Sequence, residues 1–186
     1  GLVPRATVTA AGPARTIEIP LEGIAPLRDR DPALRDVLGA ALRERVLTDL
    51  FDRAAVLSTV PLDARRELVT RFFTQDTDVA EVVVQRGQIN RRLLVVLDGQ
   101  LVVDGRGGSR HFGRMTLQPG DFFGYVATIL GRPSQVSVVA PQRSTLLVLA
   151  EQDVYRLVAA HKGVARAARK EAVDRGDAPF SVLGVS

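Results

Sequence analysis

The chain has 186 residues, no cysteine and two histidines, with 25 basic and 21 acidic side chains. The lack of cysteine excludes disulfides, thiolate zinc sites and cysteine nucleophiles. No stretch approaches the ~20 apolar residues of a membrane span, and the basic residues are spread along the chain rather than gathered into a nucleic-acid-binding patch.

The N-terminal part divides into two predicted segments. Residues 1–15 begin with GLVPR, which resembles the thrombin site of an expression tag, and we expect a tag remnant and flexible lead-in. Residues 16–56 are predicted to hold a short strand, TIEIPL at 16–21, and a helical extension. The extension lies in residues 31–57, where apolar residues recur at helical spacing with a possible break near 50–53, and Asp31 is placed to cap the helix.

Residues 57–150 are predicted to form the main body of the fold. A helix at 61–73 comes first, and short β-branched runs separated by glycine and proline turns follow from residue 76. Nothing between these runs is long enough for a crossover helix, which favours antiparallel pairing. A short helix is predicted within 122–130, and DGRGGS at 104–109 is typical of a hairpin turn.

The C-terminal part is predicted to be helical over 151–176, with a break near Gly163, followed by a tail at 177–186. The basic cluster HKGVARAARK, residues 161–170, is interpreted as a solvated helix face. The predicted fold class is therefore α+β and mainly β: an antiparallel β-roll or jelly-roll barrel of about eight strands, flanked by N-terminal and C-terminal helices.

Three stretches together resemble the cyclic-nucleotide-binding domain family, the β-roll of catabolite-activator-type regulators. They are VVVQRGQINRRLLVVLDGQLVV, LQPGDFFG (the family often has GPGDFFG) and EQDVYRLVAAH. The resemblance covers about residues 57–173 and puts Gly87, Gly99, Gly120 and Gly124 at the family's turn glycines.

The resemblance fails at the residues that hold the ligand in the family. There a Glu after the FG pair accepts from the ribose hydroxyl, and an Arg about nine residues later forks onto the cyclic phosphate. In this chain the Glu position is Tyr125, the Arg position is Ser134, and the small-residue position two further on is Val136. In the family this segment, here residues 124–137, is the phosphate-binding cassette. The resemblance therefore implies a degenerate cassette that does not bind cyclic nucleotides in the usual way.

Several alternatives for this pocket stay open. Arg132 is a substitute cation after a loop shift or else a surface turn residue; Tyr125 stacks on a ligand or else fills the ribose site. Backbone amides at 124–126, with the hydroxyls of Ser134 and Ser137, are generic anion donors, and the tail is a further candidate to fill the pocket with Phe180 or Leu183. The candidate ligand-binding residues are Gly124, Tyr125, Val126, Arg132, Ser134, Gln135, Val136 and Ser137.

No other chemistry is indicated. His111 and His161 lie 50 residues apart with no metal-site spacing, and hydrolase, zincin and P-loop motifs are lacking. We therefore expect no enzyme activity, no catalytic residue, no metal and no cofactor, with a cyclic nucleotide as the one doubtful ligand.

The predicted function is that of a cytoplasmic, non-catalytic regulatory or interaction domain attached to a host domain or larger assembly. The alternatives are a sensor that binds a cyclic nucleotide or cyclic dinucleotide through altered contacts, and a structural module of a channel, transporter or shell protein. Homodimerisation through the helices is a further alternative. Direct nucleic-acid binding is not expected, because no helix-turn-helix segment follows the last helix of the sequence given.

Overall fold

A computed structural model describes residues 9–17, 26, 30–54, 56–104 and 114–174, without the side chains of residues 35, 126, 127 and 171–174. The chain divides into two units, residues 1–39 and 40–186. The helices of the described part are α1 (Pro32–Arg53), α2 (Leu62–Arg71), α3 (Tyr125–Leu130), α4 (Glu151–Ala160) and α5 (Lys162–Asp174). The strands are β1 (Phe73–Thr77), β2 (Val82–Val84), β3 (Leu93–Asp98), β4 (Leu101–Asp104), β5 (Met115–Leu117), β6 (Phe122–Phe123), β7 (Ser137–Val139) and β8 (Ser144–Leu149).

Helix α1 begins where the sequence predicts it to begin. The Asp31 carboxylate accepts hydrogen bonds from the backbone N–H groups of Ala33 (2.9 Å) and Leu34 (3.2 Å), so it caps the first turn. The helix ends at Arg53 rather than at residue 57, because the chain then turns, with the N–H groups of Leu57 and Ser58 both bonded to the Ala54 carbonyl.

The strands form two antiparallel four-stranded sheets with orders β1-β8-β3-β6 and β2-β7-β4-β5. The mainly β, antiparallel class with flanking helices is confirmed. Among the described residues no strand pairing joins the two sheets, so the predicted roll consists of two separate sheets rather than a closed barrel. The strands are short, and the register of β2 against β7 is irregular; buried side chains between the two sheets, rather than a continuous ladder of hydrogen bonds, hold the roll together.

The sheet containing β3 and β8 is apolar on both faces. Along LLVVL, alternate residues Leu93, Val95 and Leu97 pack in one cluster with α1, α2, α4 and α5, and Leu94 and Val96 pack in a second cluster between the sheets. This alternation follows from the two-residue period of a strand. It explains why these strands are continuous apolar runs while β4 alternates between buried and half-buried positions.

Two predicted boundaries shift. The helix predicted at 61–73 ends at Arg71, and β1 starts at Phe73, where the sequence analysis placed no strand. Strand β1 has one buried residue, Thr77, and it forms because all five of its residues pair with β8. The strand predicted at 16–21 and the hairpin turn predicted at 104–109 fall largely outside the described residues.

The two C-terminal helices are confirmed, with the break at His161 between α4 and α5. Val164 and Ala168 of α5 are buried in the cluster that Leu93, Val95 and Leu97 form with the helices, which we call the helix-facing core. Arg166, Arg169 and Lys170 are exposed. The basic cluster is thus the solvated face of an amphipathic helix, as its sequence predicts.

Candidate functional site

The candidate site is built around the turn between β6 and α3. Gly124 lies in this turn at φ +89°, a conformation that a residue with a Cβ rarely adopts. A Cβ added there would lie 2.7 Å from the Arg92 carbonyl oxygen and would also collide with the Asn90 side-chain amide. Glycine is therefore favoured at this position for two reasons: the positive backbone φ and the close approach of a neighbouring chain segment.

Buried hydrogen bonds from the side chains of Asn90 and Thr128, which we call the latch, join this turn to the segment before β3. The Asn90 amide donates to the carbonyl oxygens of Arg92 (2.6 Å) and Gly124 (3.4 Å). The Thr128 hydroxyl, on α3, lies within hydrogen-bond distance of the carbonyls of Asn90 (2.8 Å), Gly124 (2.9 Å) and Arg92 (3.2 Å). Since Asn90 and Thr128 are both buried, water is a poor substitute for these bonds.

The other end of the candidate site is joined to the β2–β3 turn. Gly87 N–H donates to the Ser134 carbonyl and Ser134 N–H donates to the Gln88 carbonyl, both at 2.8 Å. Farther along, the Arg86 N–H donates to the Ser137 hydroxyl at 3.2 Å. The turn at 85–92 therefore holds both the Gly124 end and the Ser134 end of the site in place.

Tyr125 is the first residue of α3 and is directed into the helix-facing core. Its side chain is 1% exposed and lies in the same apolar cluster as the buried residues of α1, α4 and α5. Its ring centroid is 5.5 Å from that of Phe122, with the rings tilted by 40°. The Tyr125 ring does not belong to the cluster between the sheets, which contains Phe123, two residues earlier in the chain. In this structure the Tyr125 ring contributes to helix packing, and the alternative that it fills the ribose site stays a prediction.

The segment after α3 uses its polar groups internally. Ser134 is 6% exposed, and its hydroxyl donates to the Val136 carbonyl at 2.8 Å, which makes a local turn. Val136 is fully buried between the sheets, and Ser137 opens β7 half-buried. The exposed side chains in this segment are those of Arg132, Pro133 and Gln135.

Of the remaining candidates, the Val126 side chain and the tail with Phe180 and Leu183 lie outside the described residues, as does His111. His161 is half-buried at the end of α4, where its backbone N–H donates to the Leu157 carbonyl at 2.9 Å. Within the described ranges no group of three or more His, Cys, Asp or Glu side chains is placed to hold a metal ion.

The family model described as cyclic nucleotide-binding domain matches residues 78–161, which run from β2 through α4. The match covers somewhat less than half of the chain.

Solved structures show the same fold. The chain resembles a structure of PKAR CBD2 bound to Sp-2Cl-cAMPS, with a TM-score of 0.51 and 16% identity over 78% of this chain and 97% of that one. It also resembles the regulatory domain of Toxoplasma gondii PKA with cAMP, with a TM-score of 0.53 and 20% identity over 73% of this chain and 51% of that one. At these identities the likeness concerns the fold. None of the described helices is both long and apolar enough to span a membrane.

The sequence analysis did not identify Asn90 and Thr128, the two residues whose side chains hold the turn between β6 and α3 in place. Asn90 stands in the polar stretch RGQINRR and Thr128 in the apolar stretch YVATIL. A lone threonine within an apolar helix was the available signal, because a buried hydroxyl must find an acceptor.

Proposed function

We propose that this cyclic nucleotide-binding domain is a non-catalytic regulatory or interaction domain whose cassette does not hold a cyclic mononucleotide in the usual way. The proposal includes attachment to a host domain or assembly and the expected cytoplasmic location. The observation that supports the proposal is the burial and hydrogen bonding of the two side chains at the family's ligand-contacting positions. At the family's ribose-binding position Tyr125 is buried in the helix-facing core, and at its phosphate-binding position the Ser134 hydroxyl is bonded within its own turn.

The energetic argument concerns two missing contacts. A hydrogen bond to a charged group contributes about 1.5–3 kcal/mol, and a tyrosine and a serine cannot supply the lost carboxylate and guanidinium. Loss of both contacts weakens binding by roughly 3 kcal/mol or more, which is at least about two orders of magnitude in Kd. A site of micromolar affinity would then bind near the millimolar range.

A second observation supports a cassette that is ordered without ligand. The latch of Asn90 and Thr128 fastens the start of α3, and the β2–β3 turn fastens the backbone of Ser134. These bonds hold both ends of the cassette in place without any contribution from a ligand. The described residues therefore form a stable packing unit for α5, which lies against α3.

Calorimetric titration of the chain with cAMP and cGMP up to millimolar concentration tests the proposal, with cyclic di-GMP as a further titrant. We expect no saturable heat and no change in melting temperature for the two mononucleotides. Micromolar binding of either would contradict the proposal. In that case Arg132→Gln distinguishes a shifted arginine contact, which abolishes binding when lost, from binding by backbone amides alone.

A further inference from the structure

A cavity lies at the turn between β2 and β3, and Gly124, Tyr125 and Ser134 of the cassette do not line it. It has a volume of about 230 Å³, and its polar lining comes from Gln85, Gln88, Asn90, Arg91 and Arg92. The rest of the lining is apolar, from β2 and Ile89, and no acidic residue contributes. The Asn90 amide is already bonded to the carbonyls of Arg92 and Gly124, so the side-chain donors of the lining that remain to be considered are the two arginines and the amides of Gln85 and Gln88.

Arg92 is the residue that gives this cavity its chemical preference. Its half-buried guanidinium donates to the Gln75 side-chain oxygen at 3.0 Å and to the Val83 carbonyl at 3.4 Å. Both partners are neutral, and no carboxylate of the described ranges lies within 4.0 Å of it. A guanidinium has five N–H donors and stays charged, so donors and an uncompensated charge remain here.

Its neighbour Arg91 provides a contrast within the same turn. Arg91 lies at the exposed rim and contacts both carboxylate oxygens of Glu151 on α4, at 3.1 and 3.2 Å. That charge is neutralised by the protein, whereas the more buried charge of Arg92 is not. Partial removal from water makes an unneutralised cation unfavourable, and an anion that enters the cavity relieves this cost.

The backbone that presents Arg92 is held rigidly. The Arg92 carbonyl accepts from the Asn90 amide at 2.6 Å, and the turn is bonded to Ser134 through Gly87 and Gln88. Little conformational entropy is therefore lost when a ligand arrives, which favours binding by a site with few contacts.

We propose that this cavity binds the phosphate group of a small phosphorylated molecule, with the Arg92 guanidinium forked onto two phosphate oxygens. The volume accommodates a phosphate monoester with a small organic group, and the amides of Gln85 and Gln88 are donors for the remaining oxygens. The inference goes beyond the proposed function and does not depend on it, since Gly124, Tyr125 and Ser134 are not part of this lining.

The test is calorimetric titration of the full chain, in phosphate-free buffer at low salt, with ribose 5-phosphate, inorganic phosphate and ribose. We expect saturable binding of the two phosphates and none of ribose. Arg92→Gln should weaken the affinity for ribose 5-phosphate at least about tenfold, and Arg92→Lys should weaken it less because the charge is kept. The matched control is Arg143→Gln, which removes an arginine that is 83% exposed and outside the cavity, and it should leave the affinity unchanged.

Either of two results would overturn the inference: no saturable phosphate binding by the unmodified chain, or equal affinity in the chain and in Arg92→Gln. A melting curve for each variant shows whether it is folded, and Arg92→Lys keeps the test valid if the glutamine variant unfolds. The two proposals fail separately. Micromolar cAMP binding that survives Arg92→Gln contradicts the proposed function alone, whereas absent phosphate binding with no cAMP binding contradicts this inference alone.

Discussion

Replacement of Gly124 by alanine tests the central feature of the cassette, its close approach to the segment before β3. The substitution adds one methyl group in the buried turn between β6 and α3. Two separate costs are expected. The first is the positive φ of +89°, and the second is the collision of the new Cβ with the Arg92 carbonyl, 2.7 Å away, and with the Asn90 amide.

The magnitude follows from these two costs. A left-handed conformation costs a residue with a Cβ about 1–2 kcal/mol. Relief of the collision displaces the Asn90 amide from its bonds to the Arg92 and Gly124 carbonyls, and leaving buried polar groups unsatisfied costs about 1–3 kcal/mol more. The expected loss in the free energy of unfolding is about 2–5 kcal/mol, a large share of the stability of an ordinary domain.

Gly87→Ala is the matched control. Gly87 has a similar φ of +80°, but nothing lies within 4 Å of a Cβ added there, so this variant should show the conformational cost alone. Equilibrium urea unfolding of the chain and both variants, with equal m-values, gives the difference. If Gly124→Ala and Gly87→Ala destabilise the protein equally, within about 0.5 kcal/mol, the close approach at Gly124 has no energetic consequence and the reasoning fails.

Three further predictions concern single side chains. Thr128→Val, which keeps the shape of the side chain but removes its buried hydroxyl, should cost about 1–2 kcal/mol in urea unfolding, and Thr128→Ser should recover most of it; no effect of valine would rule out the latch. Tyr125→Ala should cost about 3–5 kcal/mol, whereas Tyr155→Ala, at a residue that is 48% exposed, should cost less than about 1; similar losses would contradict burial of Tyr125. Asp31→Ala should speed amide hydrogen exchange in the first turn of α1 and leave exchange in β3 unchanged, because one cap is worth about 1 kcal/mol; unchanged exchange in that turn would argue against the cap.

The sequence contained enough to predict the fold because several local signals agree on it. Glycines 87, 99, 120 and 124 all have positive φ, as expected for turn residues between apolar strands. The runs around β3 and β8 are strands for a reason visible in their composition, since β-branched and leucine residues fill both faces of a doubly covered sheet. Strand β1 escaped prediction because its sequence FTQDT has no apolar alternation, and its structure comes from pairing with β8, about 70 residues away.

The site was harder to predict than the fold, since its bonds join distant residues of common types. Asn90 and Thr128 are 38 residues apart, and neither residue type at such a separation indicates a contact. The direction of the Tyr125 ring was equally hidden, because the family resemblance fixes a position in the chain and not the side of the sheet on which a new side chain packs. Local patterns report the backbone, whereas side-chain networks depend on the assembled fold.

The latch also constrains how a signal passes through this domain under the proposed function. A cassette that needs ligand charge for its order moves when the ligand binds, and a helix that packs on it then follows. Here the bonds of Asn90, Thr128 and the β2–β3 turn order the cassette during folding, and α5 packs on α3 in that ordered state. A ligand changes this arrangement only if it binds one of two states better than the other. On the proposed function, a shift of α5 would therefore be driven by an attached partner that contacts the helices, and the basic face of α5 is exposed for such a contact.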